Sequence, residues 1–318
     1  MRTAFIEELV ALAEQDERIW LVCGDLGYSV LEAFSDRFPD RYLNAGVAEQ
    51  NMTGIAAGLA LTGKVVFTYS IANFPIMRCL EQIRNDVCYH QLDVKVVAVG
   101  GGLAYGSHGY THHGVEDLAI MSAMPNMTVV APGDPVEARA ATAALVATPG
   151  PAYLRLGKAG EATWHREAID FRLGRAIQMR DGHDLTILST GGVLGIAVEA
   201  ARRLDATGCS TRLLSMPSLV PLDVDAITKA ASETAAIITV EEHGIGGLGT
   251  MTAEVLASIR AAVPFHPLRL GRDPIRLAGS QEELRSAQGV SVEGILAATK
   301  RLLDPKLQMH SAHMGSAR

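Results

Sequence analysis

The feature that most constrains this chain is alternation. Short runs of β-branched and apolar residues are separated repeatedly by longer stretches with helical spacing. The runs fall at 19–23, 65–69, 94–99, 128–131, 153–156, 185–189, 211–215, 236–240 and 267–270. They are apolar nearly throughout, which suits strands covered on both faces in a parallel sheet. Between them, 48–61, 135–147 and 195–206 read as amphipathic helices. Such alternation predicts an α/β fold of doubly wound, mostly parallel sheets. The 318 residues have room for two such units at roughly 100–200 residues each. The segment AGEATWHREAIDF, residues 159–171, is polar and aperiodic and marks the break. We expect one domain over 1–158, a linker over 159–174, a second domain over 175–305 and a polar tail over 306–318.

Composition enters where it excludes function classes. A formal charge of −7 leaves no basic face to replace phosphate counterions, so no nucleic-acid partner is expected. No apolar run approaches the roughly 18–20 residues that span a bilayer. The opening MRTAFIEELVALAEQDE is acidic and amphipathic, unlike a signal peptide. No membrane association and a cytoplasmic location are the expectations. Cys23, Cys79, Cys88 and Cys209 form no CxxC pair and read as reduced thiols.

Two stretches carry chemistry. In FPDRYLNAGVAEQNMTGIAAGLALTG, residues 38–63, an expected strand at 42–45 runs through Gly46 into a helix with Glu49 in its first turn. A carboxylate there is favoured by the helix dipole, or it has a chemical task. The small face of Ala56, Ala57, Gly58 and Ala60 suits either a helix at an interface or a tight core. The second stretch, GGGLAYGSHGYTHHGVEDLAIMSAMPNMTVVAPGDP at 100–135, follows a strand, at the sheet edge where α/β sites form. His108, His112 and His113 share it with Glu116 and Asp117. No HExxH frame supports metal ligation and no GxGxxG supports a dinucleotide. Loop capping and substrate contact both remain open for the histidines.

In chain order, GDLGYS (24–29), FPDRYLNAGVAEQNM (38–52), YSIANF (69–74), LEQIRNDV (80–87), YTHHGVEDL (110–118), PNMTVVAPGDP (125–135) and GPAYLRLGK (150–158) resemble the pyrimidine-binding domain of thiamine-diphosphate enzymes. The likeness is to transketolase and 1-deoxyxylulose-5-phosphate synthase. TILSTGGVLGIAVEAA (186–201) and VEEHGIGGLG (240–249) resemble the transketolase C-terminal domain. The resemblance implies a two-carbon ketol transferase that uses thiamine diphosphate. The family's GDG motif for Mg²⁺ (or Ca²⁺) and diphosphate does not occur, since Gly24-Asp25 is followed by Leu26. The expectation is therefore a split enzyme. An N-terminal, diphosphate-binding transketolase subunit would hold the metal, in an α2β2 assembly acting on sugar phosphates. This chain itself is expected to ligate no metal.

The resemblance also implies roles by position. Glu49 matches the glutamate that bonds N1′ of the aminopyrimidine and favours its imino tautomer. Phe74 matches the aromatic packed on that ring. His112 matches a histidine that bonds the donor's hydroxyl and carbonyl groups. Asp25 and Ser29 match pocket residues near the thiazolium and the sugar-phosphate end, although either could instead cap the next helix. Lys158 stands where an arginine usually meets the sugar phosphate, and Arg2 lies near a second phosphate-contacting arginine. His108 replaces an aspartate that reads a sugar hydroxyl, and Gly100 replaces a substrate-binding histidine, so the sugar is expected to differ from the common ones. Three rivals are a 2-oxo-acid dehydrogenase beta-type subunit, a deoxyxylulose-phosphate synthase and a catalytically silent partner-binding subunit.

Overall fold

The computed structural model describes residues 1–304, and the tail expected at 306–318 lies outside the described residues. Its strands are β1 (Ile19–Cys23), β2 (Tyr42–Asn44), β3 (Val65–Ile71), β4 (Val94–Val99), β5 (Thr128–Val130) and β6 (Ala152–Leu156). In the second half come β7 (Ile177–Arg180), β8 (Leu185–Ser189), β9 (Thr211–Ser215), β10 (Ser218–Val220), β11 (Ala236–Val240) and β12 (Phe265–Leu268). One sheet has the order β10-β5-β6-β4-β3-β1-β2 and the other β12-β11-β8-β9-β7. Pairing is parallel throughout, except for antiparallel β10 on β5 and β7 on β9.

The apolar runs form the inner strands because helices cover both faces. All of β4, β6, β8, β9 and β11 is buried. The helix Glu49–Leu61 follows β2, and Pro135–Ala147 follows β5. Pro135–Ala147 starts sharply because Asp134 accepts from Glu137 N at 2.9 Å, with a proline at the first helical position. The small face of Glu49–Leu61 divides: Ala56, Ala57 and Ala60 are buried, whereas Gly54 and Gly58 have nothing within 4 Å of an added Cβ.

Two strands escape a sequence reading. β7 alternates half-buried and exposed residues as an edge strand. β10 lies between Pro217 and Pro221, which read as loop punctuation but are tolerated at a sheet edge. It pairs Ser218 with Val130, so the second half of the chain completes the first sheet. One apolar cluster also unites the halves, joining Met127, Val129 and Ala131 to Leu188, Leu214, Met216 and Leu219. The segment between them is irregular but docked. Trp164 N and His165 N donate to Asp134 Oδ2 at 2.8 and 3.0 Å, and His165 Nε2 lies 2.8 Å from Glu137 Oε1. Among the described residues, no helix is long and apolar enough to cross a membrane.

Candidate active site

Neighbouring strands β6, β4, β3, β1 and β2 end along one edge of the first sheet. The segments leaving those ends carry, in the same order, Lys158, the 100–114 loop, Phe74, Asp25 and Glu49. This is the carboxyl edge where open α/β sheets form sites.

Glu49 opens its helix and is only 4 % exposed, yet it lines an open pocket of about 480 Å³ with Val47, Ala48, Gln50, Asn51 and Arg78. Arg78 Nη1 donates to its two carboxylate oxygens at 2.9 and 3.0 Å. The same guanidinium lies 4.2 Å from the Phe74 ring centre. The Phe74 ring meets His112 edge-on at 5.3 Å, and His112 lies 5.0 Å from His108. Tyr105 touches both histidines, at 5.6 and 6.1 Å, and carries the Lys158 ammonium 4.9 Å over its ring. Arg2 is near enough to draw the Tyr105 phenol down against the burial that raises it. One string of contacts thus runs from Glu49 to Lys158.

Local backbone explains the spacing of the histidines. Two 3₁₀ turns, Gly106–His108 and Tyr110–His112, each end in a histidine and are separated by Gly109 at φ 76°. Thr111 Oγ1 lies 3.0 Å from His112 Nδ1, and a hydroxyl donating there leaves the ring proton on Nε2. Burial, aided by His108, His113 and Arg78, lowers the His112 pKa, which keeps the ring neutral at pH 7. His113 is instead buried, 1 % exposed, and burial lowers its pKa too.

The loop is held from beneath by the second half of the chain. Gly102 and Gly114 exchange backbone bonds at 2.6 and 2.9 Å. Arg155 Nη2 donates to Gly114 O at 2.7 Å, and Leu103 N donates to Glu242 Oε1 at 2.8 Å. Arg155 is itself paired with buried Asp117 at 2.8 Å, which also accepts from Tyr153 at 2.6 Å. Glu242 and His243 belong to the VEEHGIGGLG stretch, and His243 Nε2 accepts from Leu118 N at 3.1 Å. That stretch therefore supports the histidine loop from the other domain.

Asp25 and Ser29 stand on the turn after β1, both exposed and both at positive φ, 57° and 61°. Neither caps the next helix, Glu32–Ser35, whose N-cap Leu31 has no side-chain bond. Asp25 instead exchanges bonds with Asn44, at 3.1 and 2.9 Å, which fixes the chain leading into Gly46 and Glu49. Ser29 N donates to Glu32 at 2.9 Å. Among the described residues, no hydrogen bond, ion pair or ring contact joins Asp25 or Ser29 to the string.

The Gly100 departure gains a physical meaning. A Cβ at Gly100, φ 76°, would stand 2.1 Å from Tyr105 Cε2, so the Tyr105 ring fills the space a side chain there would take. Tyr105 and Arg78 both escaped the sequence reading. The i,i+4 spacing of Phe74 and Arg78 was the available signal for the latter. Among the described residues, no group of three or more His, Cys, Asp or Glu is placed to hold a metal ion.

The residues fit a flat, hydrogen-bonding ring. The buried Glu49 carboxylate and the Phe74 face are set so that one planar group, the guanidinium, touches both. The family models for the transketolase pyrimidine-binding domain and C-terminal domain match residues 1–160 and 174–295. The chain is 39 % identical to one of the subunits of the apulose-4-phosphate transketolase of Phocaeicola vulgatus, over 92 % of this chain and 94 % of that one. It is 35 % identical to a 6-deoxy-6-sulfo-D-fructose transketolase subunit of Clostridium sp., over 96 % and 95 %. A solved split-gene transketolase, an inactive β4 tetramer, superposes with a TM-score of 0.86 at 36 % identity, over 95 % and 97 %. In sequence and in structure, the chain belongs to the transketolase family, carries its pyrimidine-binding and C-terminal domains, and matches single subunits of the divided enzymes over nearly its whole length.

Proposed function

We propose that this chain is the C-terminal, β-type subunit of a split transketolase that moves a two-carbon ketol unit from a ketose phosphate to an aldose. It would pair with a diphosphate-binding subunit in a cytoplasmic α2β2 assembly of carbohydrate metabolism. In this reading 1–158 and 175–305 are the two domains and 159–174 joins them. The observation that carries it is the string from buried Glu49 through Phe74 and His112 to Lys158 along one sheet edge.

When bound, thiamine diphosphate supplies a nucleophilic carbon and an electron sink for carbon–carbon cleavage. In this chain Glu49 holds a proton against N1′ of its aminopyrimidine, and Phe74 supports the ring face. Neutral His112 donates from Nε2 to a substrate oxygen on which charge develops. His108 and Lys158 face the sugar chain beyond it, with Arg2 close enough to act on the Tyr105 phenol. Lysine supplies charge to a sugar phosphate without the bidentate fork of arginine. Asp25 acts through Asn44 by fixing the approach to Glu49, and Ser29 sits at the open rim. Mg²⁺ and the diphosphate would be held by the partner subunit. Exposed Val47, which lines the Glu49 pocket, and Met77, next to Arg78, at 72 and 47 %, support a partner covering the Glu49 end.

The test combines this chain with its diphosphate-domain partner, thiamine diphosphate and Mg²⁺, and analyses the products from ketose phosphates or pyruvate with aldose acceptors. Aldose release and a ketose longer by two carbons support ketol transfer. Consumption of pyruvate with CO₂ release, in place of ketose phosphate, would favour the decarboxylase or synthase rivals, and a product joined to the aldose would mark the synthase. The chain by itself should show no turnover.

A further inference from the structure

We infer that Arg78 is a resident occupant of the aminopyrimidine seat, which the cofactor must displace. This rests on the reading above that Glu49 and Phe74 hold that ring. One guanidinium nitrogen takes both oxygens of Glu49, at 2.9 and 3.0 Å. The same planar group covers a face of Phe74 at 4.2 Å. An aminopyrimidine needs the same carboxylate and an aromatic face, and two planar groups cannot stack on one face at contact distance. His112 meets Phe74 edge-on at 5.3 Å, so another side of the ring is already engaged.

Charge logic favours exchange. A carboxylate oxygen and a pyrimidine nitrogen are both acceptors, so a bond between them needs one proton. As the proton enters with the ring, the cation can leave, and the buried Glu49 never stands with an uncompensated charge. The chain is built for such a movement. The Arg78 backbone is tied to the Glu49 helix, because Gln50 Nε2 donates to Arg78 O at 2.9 Å. Its side chain is 48 % exposed, so the head can swing into solvent without disturbing the core. Arg78 also stands at a joint, after the short helix Phe74–Met77 and before Leu80–Gln82.

The test uses the full chain and the ring fragment alone, 4-amino-5-hydroxymethyl-2-methylpyrimidine, titrated by calorimetry. Arg78→Ala should bind the fragment about tenfold more tightly than the wild type, a difference of about 1.4 kcal/mol. Arg78→Lys should fall between them, since an ammonium keeps the charge and loses the stacking plane. Both variants alter a half-exposed side chain and keep the backbone bond to Gln50, so circular dichroism should match the wild type. Equal or weaker binding by Arg78→Ala overturns the occupant role and leaves the seat standing. Absence of binding in all three proteins overturns the seat and the occupant together.

Discussion

Replacing Arg155 by methionine tests how the two halves of the chain hold the histidine loop. Arg155 is 5 % exposed and pairs at 2.8 Å with Asp117, which is 1 % exposed. It also donates to Gly114 O at 2.7 Å and to Glu242 O at 3.0 Å. Breaking a buried pair from one side costs about 3–5 kcal/mol, because the remaining charge stays buried without its partner. Asp117 keeps the Tyr153 hydroxyl at 2.6 Å, and that bond places the loss near the lower end, about 3 kcal/mol. Urea unfolding should show it as a lowered midpoint, and amide exchange at Gly102 and Gly114 should quicken as the loop base loosens. Adding Asp117→Asn should recover part of the loss by removing the stranded charge. A loss below about 1 kcal/mol, or a double variant no better than the single one, would refute the reasoning.

Two further outcomes follow from the geometry. Gly100→Ala combines positive φ with a Cβ 2.1 Å from Tyr105 Cε2, and should cost about 1–3 kcal/mol in urea unfolding while raising KM more than it lowers kcat; unchanged stability and KM would contradict the packing. His243 is held at about 4, below the ordinary 6.5, by burial against the pull of Asp117. The unfolded chain therefore takes up a proton between pH 6.5 and 4 that the folded chain refuses, and stability falls as pH drops through that window. Glu241, raised to about 7 by burial, loses stability in the opposite direction, as pH rises from 4.5 to 7. The difference between His243→Gln and wild type isolates the histidine: the variant should lose less thermal stability on going from pH 6.5 to 4, and an identical loss would be inconsistent with the assigned shift.

Much of the fold was legible because burial on two faces forces apolar runs. The nine runs and the short stretch at 42–45 all become strands, with ends within two residues. β10 was not legible, since three residues between prolines acquire strand form only by pairing with Val129 and Val130. Lys95 shows the same limit. A lysine inside VKVVAV gives no sign of its partners, yet it is fully buried, with its ammonium on Thr148 O and Gly150 O at 2.8 and 2.6 Å. At the site, Glu49, Phe74, His112, His108 and Lys158 come from motif order, and the structure sets them along one edge. Tyr105 and Arg78 could not be read that way, because each owes its place to a neighbour. Tyr105 fills the space over Gly100, and Arg78 bridges two residues separated by 25 positions.

The measurement closest to the central claim is two-carbon transfer by the assembled complex with Glu49→Gln. Glutamine keeps the shape and cannot exchange the proton, so turnover should fall about 10²–10⁴-fold, while the variant still assembles with its partner. Turnover equal to the wild type would contradict the role assigned to Glu49, and with it the reading of this chain as the half of a transketolase that activates the cofactor.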